Sequence, residues 1–577
     1  MQKSFFLSIF LLTTQISFSQ NLATVFEKSN GKQSATYFEC IDYYKQLAKT
    51  FPAIKILTGD TTDAGYPLHV VLFAADKNFN INNWHQQHKV VILVNNGIHP
   101  GEPDGIDASM MLLRDLGQGK IKMPGNVVLA VIPVYNIGGS LNRGSFSRVN
   151  QNGPEQYGFR GNSQNLDLNR DFIKADSKNA LAFEKIFQQL NPDIFIDNHV
   201  SDGADYQHTM TLLTTLHNKL GGEIGNFLHD VFEPALYKGM KEKHWDMCPY
   251  VNFEESSLKN GWEAYYDAPR YSTGYAALFE TIAFMPETHM LKPYADRVKN
   301  TYSFMQTVIE QASRFSDDIL AKRKASLDAV KQQKEFALSW KVDSSKYDNI
   351  TFKGYDTSMN ISDVTGLPRY YYNHSKPFEK EIKFYDYFIQ SVSAQKPKAY
   401  IIPQGWHDAI NRLKLNNVTM HQLQKDTVIN VEYYKVDDYK AMPKAYEKHH
   451  RNYSIRLSSY TDTIHFLKGD YIIYTGQHAD RYIVETLEPL GDDSFFSWNF
   501  FDAVLQRKEY YSDYRWEDIA AAYLKQHPAI RKQLEEKKKT DASFAASAQQ
   551  QLYFVYTHSP YSEPGYMRIP VFKIVSK

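Results

Sequence analysis

Three residues define the chemistry open to this chain: His99 and Glu102 in His99-Pro100-Gly101-Glu102, and His199 at the end of Phe195-Ile196-Asp197-Asn198-His199. Two imidazoles and a carboxylate form the donor set of a catalytic zinc site, which takes three protein ligands and leaves a fourth position for water. Zinc holds such atoms at about 2.0–2.2 Å, so all three must converge on one point. The spacing from His99 to Glu102 suits a turn, for which Gly101 is expected to supply the tight backbone, and Pro103 suits the first turn of a following helix. Asp197 is placed to orient a ligand from behind, as metal-bound histidine usually requires. Cys40 and Cys248 are the only cysteines, too few for a thiolate cage. The expected metal is therefore one Zn2+ ion held by histidine and carboxylate, and pairing of the two cysteines stays open.

An H-x-x-E string by itself is weak, and its strength here comes from the elements around it. The apolar run Val90-Val91-Ile92-Leu93-Val94 precedes His99, and a helical stretch at 104–116 follows, with Ile106, Met110 and Leu113 on one face. Tyr37 to Ala48 reads as a helix ending near Pro52, and 177–190 as another closed by Asn191-Pro192. Strand-like runs recur at 69–73, 90–95, 127–134, 193–198, 209–214 and 282–286. The alternation predicts an α/β fold, a mixed central sheet flanked by helices, with ligands gathering beyond the carboxyl ends of its strands. His99 and His199 both fall at such ends.

A length of 577 residues calls for more than one domain. Residues 20–320 are read as the catalytic domain. Residues 294–338 are read as one or two long helices, with the charged stretch Lys322 to Glu335 as a boundary, and 335–577 as an α+β accessory domain. Short strands are expected there at Tyr400–Pro403, Val428–Tyr434 and Tyr471–Tyr474, and helices at 404–414 and 516–545. The aromatic run Phe495 to Phe501 is expected in a core. Residues 1–19 read as a cleaved export signal: Lys3, an apolar stretch from Phe5 to Leu12, and small residues Ser17 and Ser19 before Gln20. That predicts a periplasmic or extracellular protein without a membrane span. Sixty-five basic and 65 acidic residues cancel, so overall charge favours neither nucleic acid nor an anionic membrane.

A second string, Phe159-Arg160-Gly161-Asn162-Ser163-Gln164-Asn165-Leu166-Asp167-Leu168-Asn169-Arg170-Asp171-Phe172, is turn-rich and carries two arginines. Their planar forks suit two-point binding of a carboxylate. The order H-P-G-E, then R…D-L-N-R-D-F, then a strand ending in histidine, resembles the zinc carboxypeptidase family typified by carboxypeptidase A. The likeness covers roughly residues 36–310 and is nearest to the branches whose loop reads D-L-N-R. It implies that His99, Glu102 and His199 are the zinc ligands. It implies that Asn169 and Arg170 grip the substrate's terminal carboxylate, and that Arg160 stabilises the oxyanion, with Arg148 as the alternative.

The family's general base ends a late apolar strand, which makes Glu287 the expected base and Glu280 its alternative; Pro286 departs from the usual pattern. A mobile tyrosine precedes the base in the family. Tyr271, as a substrate-binding residue, or Tyr275 matches it, with Tyr265 and Tyr266 nearby. The floor of the side-chain pocket is expected within 240–275, where Asp246, Glu254, Glu255, Glu263 and Asp267 leave a preference for basic residues open. His208, His217 and His289 receive no role. The resemblance implies a metallocarboxypeptidase acting on a peptide or peptidoglycan-derived substrate. Two other readings are a deacylase or amidase for N-acyl amino acids or peptidoglycan stem peptides, and a non-catalytic zinc-containing binding protein.

Overall fold

The computed structural model describes residues 22–252, 258 and 260–575. The expected export signal lies outside the described residues, as do Glu254 and Glu255. A mixed nine-stranded sheet carries the order of elements read above. Its strands are β1 (Ile54–Thr61), β2 (Pro67–Phe73), β3 (Val90–Asn95), β4 (Val127–Ile132), β5 (Ile194–Asp197), β6 (His199–Ser201), β7 (Met210–Thr214) and β8 (Met247–Pro249). After β9 (Trp262–Glu263), which joins a different sheet, comes the ninth, β10 (Ile282–His289). The order is β1-β2-β4-β3-β5-β10-β7-β8, with β6 beside β10.

The centre is parallel: β3 pairs with β4 and β5, and β10 with β5 and β6. Every residue of β3 and β4 is buried, as continuous apolar runs require in a sheet covered on both faces. Val90, Ile92 and Val94 face one apolar cluster with helices Tyr37–Thr50, Asp104–Gly117 and Tyr294–Arg314. Val91 and Leu93 face the other, which takes Phe183 and Phe187 from helix Lys178–Leu190 together with Tyr400, Tyr482, Phe495 and Trp498. The C-terminal part thus roofs one face of the sheet, and the aromatic run is core.

The expected strands and helices of the first 290 residues are present, with one instructive extension. The late strand does not stop at residue 286 but runs to His289, so Glu287 lies inside it. Pro286 is tolerated because β10 pairs with β5 through Phe284 and with β6 only from Glu287. The missing N–H falls in the gap between the two partners. The helical reading of 294–338 overruns: helices Tyr294–Arg314 and Ser316–Gln332 give way to strand β11 (Glu335–Val342), whose Phe336 and Leu338 are buried. The strands β12 (Asp348–Ile361), β13 (Pro368–Tyr385) and β14 (Phe388–Gln395) were not foreseen. β12 and β13 form a hairpin exposed along much of both faces, which weakens the alternation that marks a strand. A six-stranded sheet includes the expected strands at 399–402, 427–441 and 471–474. Helix 516–545 is broken by Pro528 into Asp513–Gln526 and Pro528–Thr540. Cys40 and Cys248 are both free and buried. Among the described residues, no helix is long and apolar enough to cross a membrane.

The amino end of β10 is fastened by charge. Glu280, buried at positive φ, pairs with Arg481 at 3.1 Å and accepts from the Ser326 hydroxyl. Removing one member of a buried pair costs about 3–5 kcal/mol. Glu280→Gln is expected to lower the thermal unfolding midpoint by several degrees; an unchanged midpoint would contradict this reading of the pair.

Candidate active site

The carboxyl ends of β3 and β5 deliver the metal-ligand candidates. Past β3, the chain turns through Asn96 and Gly97 to His99, and Glu102 N–H donates to His99 O at 2.8 Å. Glu102 stands just before helix Asp104–Gly117. Asn198 N–H donates to Asn95 O, and its side chain to Asn96 Oδ1 at 2.7 Å, so the two strand ends are tied together immediately before His199. Gly101 is not in the left-handed region; a Cβ there would lie 2.2 Å from Arg148 Nε. Its role is therefore room for Arg148, a correction to the expected backbone freedom.

His99, Glu102 and His199 are all buried and converge. Glu102 Oε1 lies 3.2 Å from His99 Nδ1, and Glu102 Oε2 lies 3.2 Å from His199 Nδ1. The far nitrogens are held from outside: His99 Nε2 by Asp167 Oδ1 at 2.8 Å, and His199 Nε2 by Asp197 Oδ2 at 2.9 Å. Such carboxylates fix the tautomer that turns Nδ1 toward a metal. His99 Nδ1 is buried and has no hydrogen-bond partner. Two imidazole nitrogens and two carboxylate oxygens facing one point fit zinc.

Glu287 sits beside His199 in the β6–β10 register. It is buried, and Oε2 has no hydrogen-bond partner. Burial pushes its carboxyl up to about 8, with Glu102 adding to the rise and His199 and Arg160 opposing it. Glu280 is not brought to this pocket; it is committed to Arg481 at the other end of β10.

A pocket of roughly 520 Å³ opens over the cluster, and Arg148, Arg160, Asn169, Arg170, Tyr271 and Glu287 all line it. Arg148 donates to Glu102 Oε1 at 2.6 Å; Arg160 donates to Asp167 Oδ2 at 2.9 Å and stands 3.6 Å from Glu102 Oε1. The Arg170 guanidinium lies 4.6 Å from the centre of the Tyr271 ring. Asn169 Oδ1 accepts from Ser272 N–H, and the Tyr265 hydroxyl donates to that of Tyr271 at 2.7 Å. Tyr275 is buried elsewhere, donating to Asn416 Oδ1.

Two participants escaped the sequence reading, and a third was only one candidate among several. Asp167 is half-buried, and His99, Arg160 and Arg170 hold its carboxyl below the usual range against the opposing effect of desolvation. Its signal was its place in Asp167-Leu168-Asn169-Arg170. Tyr250 lines the pocket with no motif to mark it. Asp267, one of several acids considered, lines it with both oxygens free of hydrogen bonds. The C-terminal part also reaches the arginine loop: Asp167 N–H donates to Glu447 Oε2 at 2.8 Å, and His449 Nε2 meets Asp176 Oδ2 at 2.6 Å.

Loss of an outer partner typically costs 10–100-fold in metal affinity, roughly, so Asp167→Asn is expected to weaken zinc binding by about that factor in a chelator competition titration. An unchanged affinity would deny Asp167 this part.

No family model matches the chain. Proteins named Carboxypeptidase 2 are similar to it: that of Trichophyton equinum is 22% identical over 441 residues, spanning 71% of this chain and 74% of that protein. That of Trichophyton rubrum is 21% identical over 448 residues, with the same shares. Among solved structures, a metallo-carboxypeptidase from Burkholderia cenocepacia matches with a TM-score of 0.36 at 13% identity, covering 49% of this chain and 70% of that one. The carboxypeptidase A of Helicoverpa armigera gives 0.37 at 13%, covering 49% and 74%. The curated relatives support the zinc carboxypeptidase family for this chain.

Proposed function

We propose that the chain is a zinc-dependent metallocarboxypeptidase that hydrolyses a peptide or peptide-like amide beside a free carboxylate. One observation carries the reading: the His99–Glu102–His199 cluster, the buried Glu287 and the Asn169–Arg170 pair line a single pocket. The named relatives support peptide-bond hydrolysis as the reaction class.

His99, Glu102 and His199 would hold the zinc, which would supply Lewis acidity to polarise a carbonyl and lower the pKa of water from 15.7 to about 7. Arg170 offers its fork to the terminal carboxylate, with Asn169 beside it and Tyr271 packed against the guanidinium. Glu287 takes the proton of the water that adds to the carbonyl and returns it to the leaving amine. Its raised proton affinity suits both transfers. Arg160 donates to the developing oxyanion, an interaction typically worth about 10²–10³ in rate; Arg148 is the alternative donor. In this reading residues 20–320 form the catalytic domain and 335–577 the accessory domain, which braces the arginine loop through Glu447. Residues 1–19 direct export, so the mature secreted chain is expected to begin at Gln20 when its terminus is sequenced.

Mass spectrometry of peptides with free and amidated C-termini tests the activity. The zinc-loaded protein is expected to trim free termini and spare amidated ones, and Glu287→Gln to lose about 10²–10⁴-fold in rate while keeping its zinc. Equal cleavage of both peptides, or an active Glu287→Gln, would contradict the proposal. Hydrolysis requires ionised Glu287, so the rate should rise with pH. A dication beside the carboxyl favours its charged form, which places the acid limb between the ordinary 4.5 and about 8. Glu287→Gln should remove that limb.

A further inference from the structure

A second group of donors lies outside the pocket, at the junction of the catalytic sheet with the C-terminal strands. We propose that His217, His229 and Asp386 bind a second divalent cation, zinc by donor type, which fastens the C-terminal strands to the helices behind β7. His217 begins the short helix His217–Leu220 that follows β7, and His229 lies in the π-helical turn Leu228–Phe232. Asp386 occupies the turn between β13 and β14. One donor atom from each lies within 4.8 Å of the other two. The imidazoles stand with ring centroids 4.3 Å apart.

An ion-pair network around a protonated His229 accounts for only part of this cluster. His229 Nε2 is 3.0 Å from Asp348 Oδ2 and 3.5 Å from Asp386 Oδ2, and Nδ1 is 2.7 Å from Asp230 Oδ1. That network leaves the ring nitrogens of His217 without a hydrogen bond among the described residues, although its ring stands against that of His229. It also leaves Asp386 Oδ1 buried with no partner. A cation employs all of these groups. Two imidazoles with Asp386 supply the nitrogen and oxygen donor types that zinc takes, and Asp348 Oδ2 stands 3.0 Å from His229 Nε2. Glu233 lines the cavity beside His217 and Asp386.

The location gives the ion a task. A small cavity lined by His217, Glu233 and Asp386 shares Tyr250 and Tyr265 with the large pocket. The second site therefore stands behind the tyrosine wall of the first. A bound ion there ties residues 217–229 to 386, and metal binding to a folded site adds directly to folding stability.

Zinc content per chain, measured by plasma mass spectrometry after dialysis against buffered zinc, tests this directly. The wild type is expected to hold two zinc ions per chain. His217→Ala should hold one and still hydrolyse peptides, Glu102→Gln should hold one, and the double variant none. Chelation should lower the thermal midpoint of Glu102→Gln and leave that of the double variant unmoved. A wild type with one ion, undiminished by His217→Ala, would overturn the proposal. Should His217→Ala fail to fold by circular dichroism, the near-isosteric Asp386→Asn serves the same comparison: loss of one ion supports the site, and full retention overturns it.

Discussion

The structure is organised around the burial of the Glu102 carboxylate. A carboxylate removed from water is costly unless charge and hydrogen bonds surround it. Here Arg148 donates to Oε1 and Val200 N–H to Oε2, while both imidazoles close on the same group. Burial pushes Glu102 up, but Arg148 and His99 prevail and hold its carboxyl well below the ordinary range. Satisfying that one group fixes the turn from His99, the approach of β6 and the space beside Gly101. The chemistry proposed for the pocket follows from the same constraint.

From Glu102 the requirement spreads outward through hydrogen bonds. Asp104, two residues on, is held by the buried Arg297 at 3.0 Å and accepts from the Thr288 hydroxyl at 2.5 Å. Thr288 follows Glu287, so the helix that begins just after Glu102 also locates the end of β10. Arg297 in turn donates to the carbonyls of Asn152, Gly153 and Lys292. These pairs are worth more as positional constraints than as net stabilisation, since charge burial offsets much of their attraction. On the other side of the pocket, Glu447 and His449 bring the C-terminal part to the loop that presents Arg160 and Arg170.

Much of the central sheet was legible because its strands are fully covered and so read as unbroken apolar runs, as in Val90 to Val94. The three converging metal-ligand candidates were legible through H-P-G-E and a strand-end histidine. Glu287 was found by its strand, although Pro286 obscured that strand's length; only the register shows its N–H position to be dispensable. The hairpin β12–β13 was missed because its faces are exposed and its alternation weak. Asp167 and the His217–His229–Asp386 group were missed for another reason. Their partners are 68 and more than a hundred residues away, and spacing alone does not encode such meetings.

Crystals of the zinc-loaded protein, measured on both sides of the zinc absorption edge, would test the central claim most directly. The account predicts an anomalous peak within about 2.0–2.2 Å of His99 Nδ1, His199 Nδ1 and a Glu102 oxygen, abolished in Glu102→Gln and retained in Glu287→Gln. Absence of a peak at that point in the wild type, with zinc bound elsewhere, would contradict it.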